Sequence, residues 1–374
     1  MFDYRYIFRV DLRMIVILLS LMTISTLVIA SMTTEGDSTA FLTPSAKSQI
    51  QWFILGWGVF FFFTGIDYRK LKSWSWVLYG IIILLLVGLF FTTPIQNVHR
   101  WYRIPGIGRA FQPSEYAKLI VVITLSTFLE MRGRSTHLLR TAFEALLLVF
   151  IPFVLILKEP DLGTALVLYP IALVMFYLGG IRQKIVRWLA ILGGIGLLSV
   201  GLIFTGTISH EKIRPVATQF IKEYQYERLN PYTYHQQASQ TAISLGGITG
   251  RGWLEGDFSG KEWLPAAHTD SVFAAFAEEF GLMGIFFILL CFFGLIYLSF
   301  QVTAGAKDAF GRFLSAGIAT YLAMQVIVNI GMMVGFLPIT GVPLILITYG
   351  GSSVVSSMMA LGILQSIYSR RFMF

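Results

Sequence analysis

The chain of 374 residues is 56% apolar, 13% charged and carries a formal charge of +8. An ordinary soluble domain has roughly 25% charged residues, so a soluble cytosolic enzyme is excluded, and a single cysteine, Cys291, excludes a disulfide-built fold. Length is therefore divided into membrane spans, and the positive charge is read as orientation rather than as a nucleic-acid footprint.

About 20 apolar residues cross the hydrocarbon core. Uncharged runs of that order lie at 14–32, 48–66 and 73–98. Two weaker runs follow at 115–131, with Glu115 and Lys118 inside the span, and at 142–157; stronger ones lie at 162–181, 188–210 and 280–306. The uncharged stretch 313–369 is too long for one span, and Leu337-Pro338-Ile339-Thr340-Gly341-Val342-Pro343 divides it into two helices joined by a tight turn. Arg5, Arg9 and Arg13 precede the first run as in a signal peptide. That run is longer than the usual core of about 7–15 residues, so it reads as an uncleaved first helix. The expected fold is an all-α polytopic membrane protein, one membrane domain over 1–374 with ten transmembrane helices.

Basic residues orient it. Sixteen lysines and arginines flank the spans on the side of the N-terminus, against five in the short loops opposite. Both termini are expected in the cytoplasm, and the long loop 207–271, between helices seven and eight, outside it.

The short outer loop 93–114 carries Arg100, Arg103 and Arg109 and no acid. Guanidinium groups bind phosphate oxygens through paired hydrogen bonds. The cluster fits either anionic headgroups or a lipid-linked phosphate or pyrophosphate. Glu115 and Lys118 are three apart on one helical face and can pair, as a structural lock or as part of a site. Asp161 is either the N-cap of the sixth helix or an acid at the outer mouth, and Asp270 stands in the same position before the eighth. Glu278 and Glu279 lie two turns deeper, where carboxylates need a partner or water. His268 and Asp270 alone are too few for a metal site.

Together these residues resemble the SEDS family, the shape, elongation, division and sporulation proteins typified by RodA and FtsW. The resemblance covers essentially the whole chain. It rests on Arg100-Trp101 with Phe111-Gln112-Pro113-Ser114-Glu115 through Lys118, and on Pro160-Asp161-Leu162-Gly163-Thr164-Ala165. It continues with Arg228, Asn230-Pro231 and Gln236 through Gly252, then His268-Thr269-Asp270 with Phe273-Ala274 and Glu278-Glu279-Gly281. The C-terminal signature runs from Asn329 through Pro338, Gly341 and Pro343 to Gly350-Gly351-Ser352-Ser353. Three positions depart from the family pattern: Glu159 replaces a usual glutamine, Ser271 a phenylalanine and Thr348 a serine.

The resemblance implies a peptidoglycan glycosyltransferase of the bacterial cytoplasmic membrane. It would polymerise lipid II into β-1,4-linked glycan at the outer face during cell elongation and release undecaprenyl pyrophosphate. It implies Asp270 as the catalytic base, with Arg100, Arg103, Glu115, Lys118, Asp161, Arg228 and His268 binding substrate. The one cofactor implied is a divalent cation, Mg or Mn, with no ligand set assigned. The partners implied are lipid II, membrane lipid, a class B penicillin-binding protein (the transpeptidase) and other elongation-complex proteins, with no nucleic acid. Length and short tails favour the RodA branch over an FtsW-like septal polymerase. A lipid II flippase and a scaffold that only activates a transpeptidase are the competing classes.

Overall fold

A computed structural model describes residues 3–34, 43–93, 99–104, 109–219, 223–260 and 263–371. Lys222 and Lys261 of the long loop, and 94–98 and 105–108 of the arginine loop, lie outside the described residues.

The helices are α1 Leu12–Met32, α2 Pro44–Gly65 and α3 Lys70–Leu89, then α4 Pro113–Arg132, α5 Leu139–Lys158, α6 Leu162–Leu178 and α7 Gln183–Phe204. The long loop holds α8 His210–Ala217, α9 Glu223–Glu227, α10 Tyr234–Gly246 and α11 Asp257–Gly260, and the chain closes with α12 Val272–Gly305, α13 Ala309–Val334 and α14 Gly351–Ser369. Their starts are chemically marked. Asp11, Thr43, Asp161 and Asp308 each accept a hydrogen bond from a first-turn N–H of the helix they precede, and proline opens α2 and α4.

Among the described residues, six helices are long and apolar enough to cross a membrane: α1, α3, α5, α7, α12 and α13. α6 is apolar but shorter. α13 is the hub, packing on α4, α6, α10, α12 and α14, while α14 lies along α2. α7 rests on α6 and buries only Val186 and Ile203, as expected of a helix solvated by lipid.

The all-helical fold stands, with one addition: β1 Tyr102–Ile104 and β2 Arg109–Phe111 form an antiparallel ribbon, strands too short to leave a periodic signature. Three expectations change. The third helix ends at Leu89 rather than near 98. The segment between α13 and α14 is no tight turn: 335–350 is irregular, with Val342 and Leu344 to Ile347 buried. Irregular backbone at such depth survives only where protein covers it, and Asn329 does part of this by donating to the Val342 carbonyl at 2.8 Å. Finally, the eighth long helix starts at Val272, not 280, and breaks at Gly281 (φ 59°, ψ −161°).

The helix ends gather at two mouths. At one, the Asp3 N–H donates to the Gly65 carbonyl, Arg370 donates to the Thr64 and Gly65 carbonyls, and Tyr68 donates to Asp308. At the other meet the ribbon, the α5–α6 link, the long loop and the segment 335–350. There the Gln112 N–H donates to Ser352 Oγ at 3.1 Å and Arg100 donates to the Glu159 and Pro160 carbonyls.

Candidate functional site

Asp270 sits at this second mouth, on the residue before the N-cap of α12. The cap is Ser271, whose side chain makes no capping bond, so the capping alternative for Asp270 is not what the structure shows. Its main chain is anchored instead: Asn329 Nδ2 donates to the Asp270 carbonyl at 3.2 Å. Its half-buried carboxylate has no hydrogen-bonding partner among the described residues. It faces His235, Arg100 and Arg228, with Asp161 as a like-charged neighbour. Burial raises its proton affinity, His235, Arg100 and Arg228 lower it, and Asp161 adds to the rise.

Asp161 is a cap and more. Its Oδ1 accepts from the Thr164 N–H at 3.3 Å, while Oδ2 accepts from Ser114 Oγ at 3.0 Å and Gln112 Nε2 at 3.2 Å. The α6 start is thus tied to the α4 start. Gly163 permits a close approach here, since a Cβ would lie 2.8 Å from the Thr340 carbonyl oxygen. Below, Lys118 Nζ meets Glu115 Oε1 at 2.8 Å, both buried, with the Tyr321 ring 5.1 Å from the ammonium. Lys118 also feels Asp161, so the pair continues the site inward.

Arg100, Arg228 and Asp161 are near enough for their charges to act on Asp270, and Asp270 acts on His268. Arg103 is exposed on β1, whereas Arg100 is turned onto the α5–α6 link, where Nε donates to the Glu159 carbonyl at 3.2 Å. His268 lies edge-on to Tyr349, centroids 6.0 Å apart, and burial lowers its proton affinity against the pull of Asp270. Glu278 and Glu279, read as carboxylates near the chemistry, are framework. Glu278 accepts from the Phe258 and Ser259 N–H groups at 2.8 and 2.9 Å, and Glu279 accepts from Ser31 Oγ and the Leu254 N–H.

Sequence reasoning missed His235, Ser271 and the anchoring role of Asn329. His235 Nε2 lies 2.6 Å from Ser271 Oγ. A lone histidine opening a polar helix gives no periodic signal; the departure at Ser271 was the available hint. Among the described residues no three His, Cys, Asp or Glu side chains are placed to hold a metal ion.

A bundle of long apolar helices with one mouth lined by a carboxylate without a hydrogen-bond partner among the described residues, arginines and a buried acid–base pair defines a polytopic membrane protein with a polar site at one mouth. The chain belongs to the cell cycle protein family of FtsW, RodA and SpoVE, whose sequence pattern matches residues 8–371. It is 34% identical to the peptidoglycan glycosyltransferase MrdB of Escherichia coli, over 97% of this chain and 94% of that protein. It is 32% identical to the stage V sporulation protein E of Bacillus subtilis, over 96% and 98%. Its fold matches a chain of a peptidoglycan synthase complex with coordinated polymerization and crosslinking, at a TM-score of 0.76 and 25% identity over 98% of this chain and 99% of that one. It also matches the rod shape determining protein RodA of Thermus thermophilus, at a TM-score of 0.69 and 24% identity over 97% and 98%.

Proposed function

We propose that this chain, a peptidoglycan glycosyltransferase, polymerises lipid II at the outer face of the bacterial cytoplasmic membrane with Asp270 as its base. The observation that carries the assignment is the Asp270 carboxylate, held by its backbone, free of hydrogen bonds among the described residues and faced by Arg100 and Arg228. The acceptor hydroxyl oxygen attacks the anomeric carbon of the donor sugar. Its proton passes to Asp270 as the new C–O bond forms, and the bond to the pyrophosphate oxygen breaks with its electron pair leaving on pyrophosphate. Burial suits Asp270 to the first task, because a desolvated carboxylate is a stronger base. Arg100 and Arg228 suit the second, since guanidinium groups stay charged and complement the developing negative charge. Glu115, Lys118, Asp161 and His268 frame that space, and Arg103 reaches substrate only as an outer contact from the ribbon.

Likeness to MrdB and RodA supports a role in elongation. Likeness to a synthase complex that couples polymerization with crosslinking supports a class B penicillin-binding protein as partner. Asp3 and Arg370 meeting at one mouth support an even number of spans, ten in this reading, and the basic residues at that mouth support the cytoplasm as its side.

Asp270→Asn tests the base. Asparagine keeps the shape but accepts no proton near neutral pH, so polymerisation of purified lipid II should fall by at least about 100-fold, with the melting temperature unchanged. Near-wild-type glycan synthesis by the folded variant would overturn the assignment. Flipping of labelled lipid II without any glycan product from the wild type would favour the transporter reading.

A further inference from the structure

His235 is the second residue of α10, in the first turn after its Thr233 cap, and its Nε2 is 2.6 Å from Ser271 Oγ. Ser271 is fully buried and adjoins Asp270. Among the groups facing the Asp270 carboxylate, His235 pulls most strongly toward ionisation, ahead of Arg100. Two ties fix the arrangement. Gln236, the next residue on α10, donates from Nε2 to the Met332 carbonyl of α13 at 2.6 Å. One turn earlier on α13, Asn329 holds the Asp270 carbonyl. Imidazole and carboxylate therefore hang from one frame.

We propose that His235 is a positioning residue of the glycosyl transfer, an imidazole anchored by Ser271 beside Asp270 that sets when this carboxylate can take the acceptor proton. The inference rests on Asp270 being the base. The anchor belongs to this chain's own sequence, because the phenylalanine usual at 271 has no group to bind an imidazole. A neutral His235 leaves the carboxylate at full basicity. A protonated one forms an ion pair with it, which keeps Asp270 ionised but weakens it as a base. Burial lowers the proton affinity of His235 and Asp270 raises it, so the two groups titrate as a coupled pair. The remaining charges around them are Arg100 and Arg228, ionised throughout, and Asp161 across the mouth; His268 faces Asp270 from its own loop.

The test is the rate of lipid II polymerisation by the full-length protein in detergent, between about pH 5 and pH 9, for wild type, His235→Gln, Ser271→Ala and Asp270→Asn. In the wild type the acid limb should be steeper than a single ionisation allows. His235→Gln should reduce it to one ionisation and move its midpoint down by about one pH unit, because the protonation of His235 that weakened the base at higher pH is gone. The rate constant should fall while KM holds, since His235 acts through Asp270. Ser271→Ala keeps the imidazole but loses its anchor, and should shift the limb in the same direction by less. If His235→Gln does not fold, Ser271→Ala decides alone, and a wild-type limb in that variant overturns the inference. Profiles of wild-type shape in both variants, scaled only by a constant, would make His235 structural and overturn it too. An inactive Asp270→Asn beside those profiles would sink His235 alone; an active Asp270→Asn would sink the base, and this inference with it.

Discussion

Glu159 is buried at the end of α5, and neither carboxyl oxygen finds a hydrogen-bond partner among the described residues. Burial and the neighbouring Asp161 push its pKa up to about 9, against the pull of Arg100. Between the ordinary value of 4.5 and about 9 the folded chain holds a proton that the unfolded chain has lost. The contribution of Glu159 to stability is therefore complete below the ordinary value and is lost as pH rises through the window. Glu159→Gln, which is neutral at every pH, should melt higher than the wild type, with a gap that widens from about pH 6 to about pH 8. A gap constant with pH would mean that charge is not what the substitution removes. Deeper in, Lys118→Met would leave Glu115 buried and unpaired, at a cost on the order of 3–5 kcal/mol. Adding Glu115→Gln should recover most of that loss in melting temperature while activity stays low. If the double variant is as unstable as the single one, pairing is not what holds this level of the bundle.

At the scale of elements, the break in α12 is where the long loop is fastened. The Leu282 and Met283 N–H groups donate to the Gly247 and Ile248 carbonyls, and the Arg251 and Gly252 N–H groups donate to those of Glu278 and Glu279. Gly281 permits this exchange: its φ is positive, and a Cβ there would strike the Gly250 backbone. Gly281→Ala should cost on the order of 1–3 kcal/mol, read as a lower melting temperature. Gly194→Ala on α7, where a Cβ meets nothing, should be neutral or slightly stabilising. Equal losses in both would deny the clasp its special place. The same elements show why only part of the fold was legible. Most long helices were visible because lipid demands long apolar runs, and the run at 14–32 located α1 closely. Glu278 and Glu279 interrupt such a run, so the start of α12 was displaced to 280. The opposite error befell 335–350, where residues covered by protein are as apolar as residues covered by lipid. In the site, Glu115 and Lys118 were legible from spacing, and Asp161 and Asp270 from their place before a helix. His235 and the inward reach of Asn329 were not, because they depend on α10 and α13 meeting far apart in the chain.

The whole molecule is polarised, and the chemistry depends on which mouth faces outward. The mouth opposite the site carries the basic pairs: Lys72 with Glu130, and Arg132 and Arg140 with Glu144, beside Arg370 buried under the α2 end. Lysine and arginine in short loops are retained on the cytoplasmic side, and on that ground the proposed function has the Asp270 mouth outside. In that orientation Arg100 and Arg103 stand against the same rule, which is the placement a pyrophosphate-binding role would explain. Reporter insertions at Gly133 and Gln183 should then read cytoplasmic, and one at Thr207, beyond the end of α7, should read extracytoplasmic. The three are informative together, because the helices fix their relative sides: 133 and 183 lie across an even number of long helices, and 207 lies one helix further. A cytoplasmic signal at Thr207 with extracytoplasmic signals at the other two would invert the molecule. It would put Asp270 on the inner face, where glycan cannot be extended outside the membrane, and the glycosyl-transfer mechanism assigned to that mouth would fall. Equal signals at Gln183 and Thr207 would mean that α7, for all its exposed apolar surface, lies along the bilayer rather than across it.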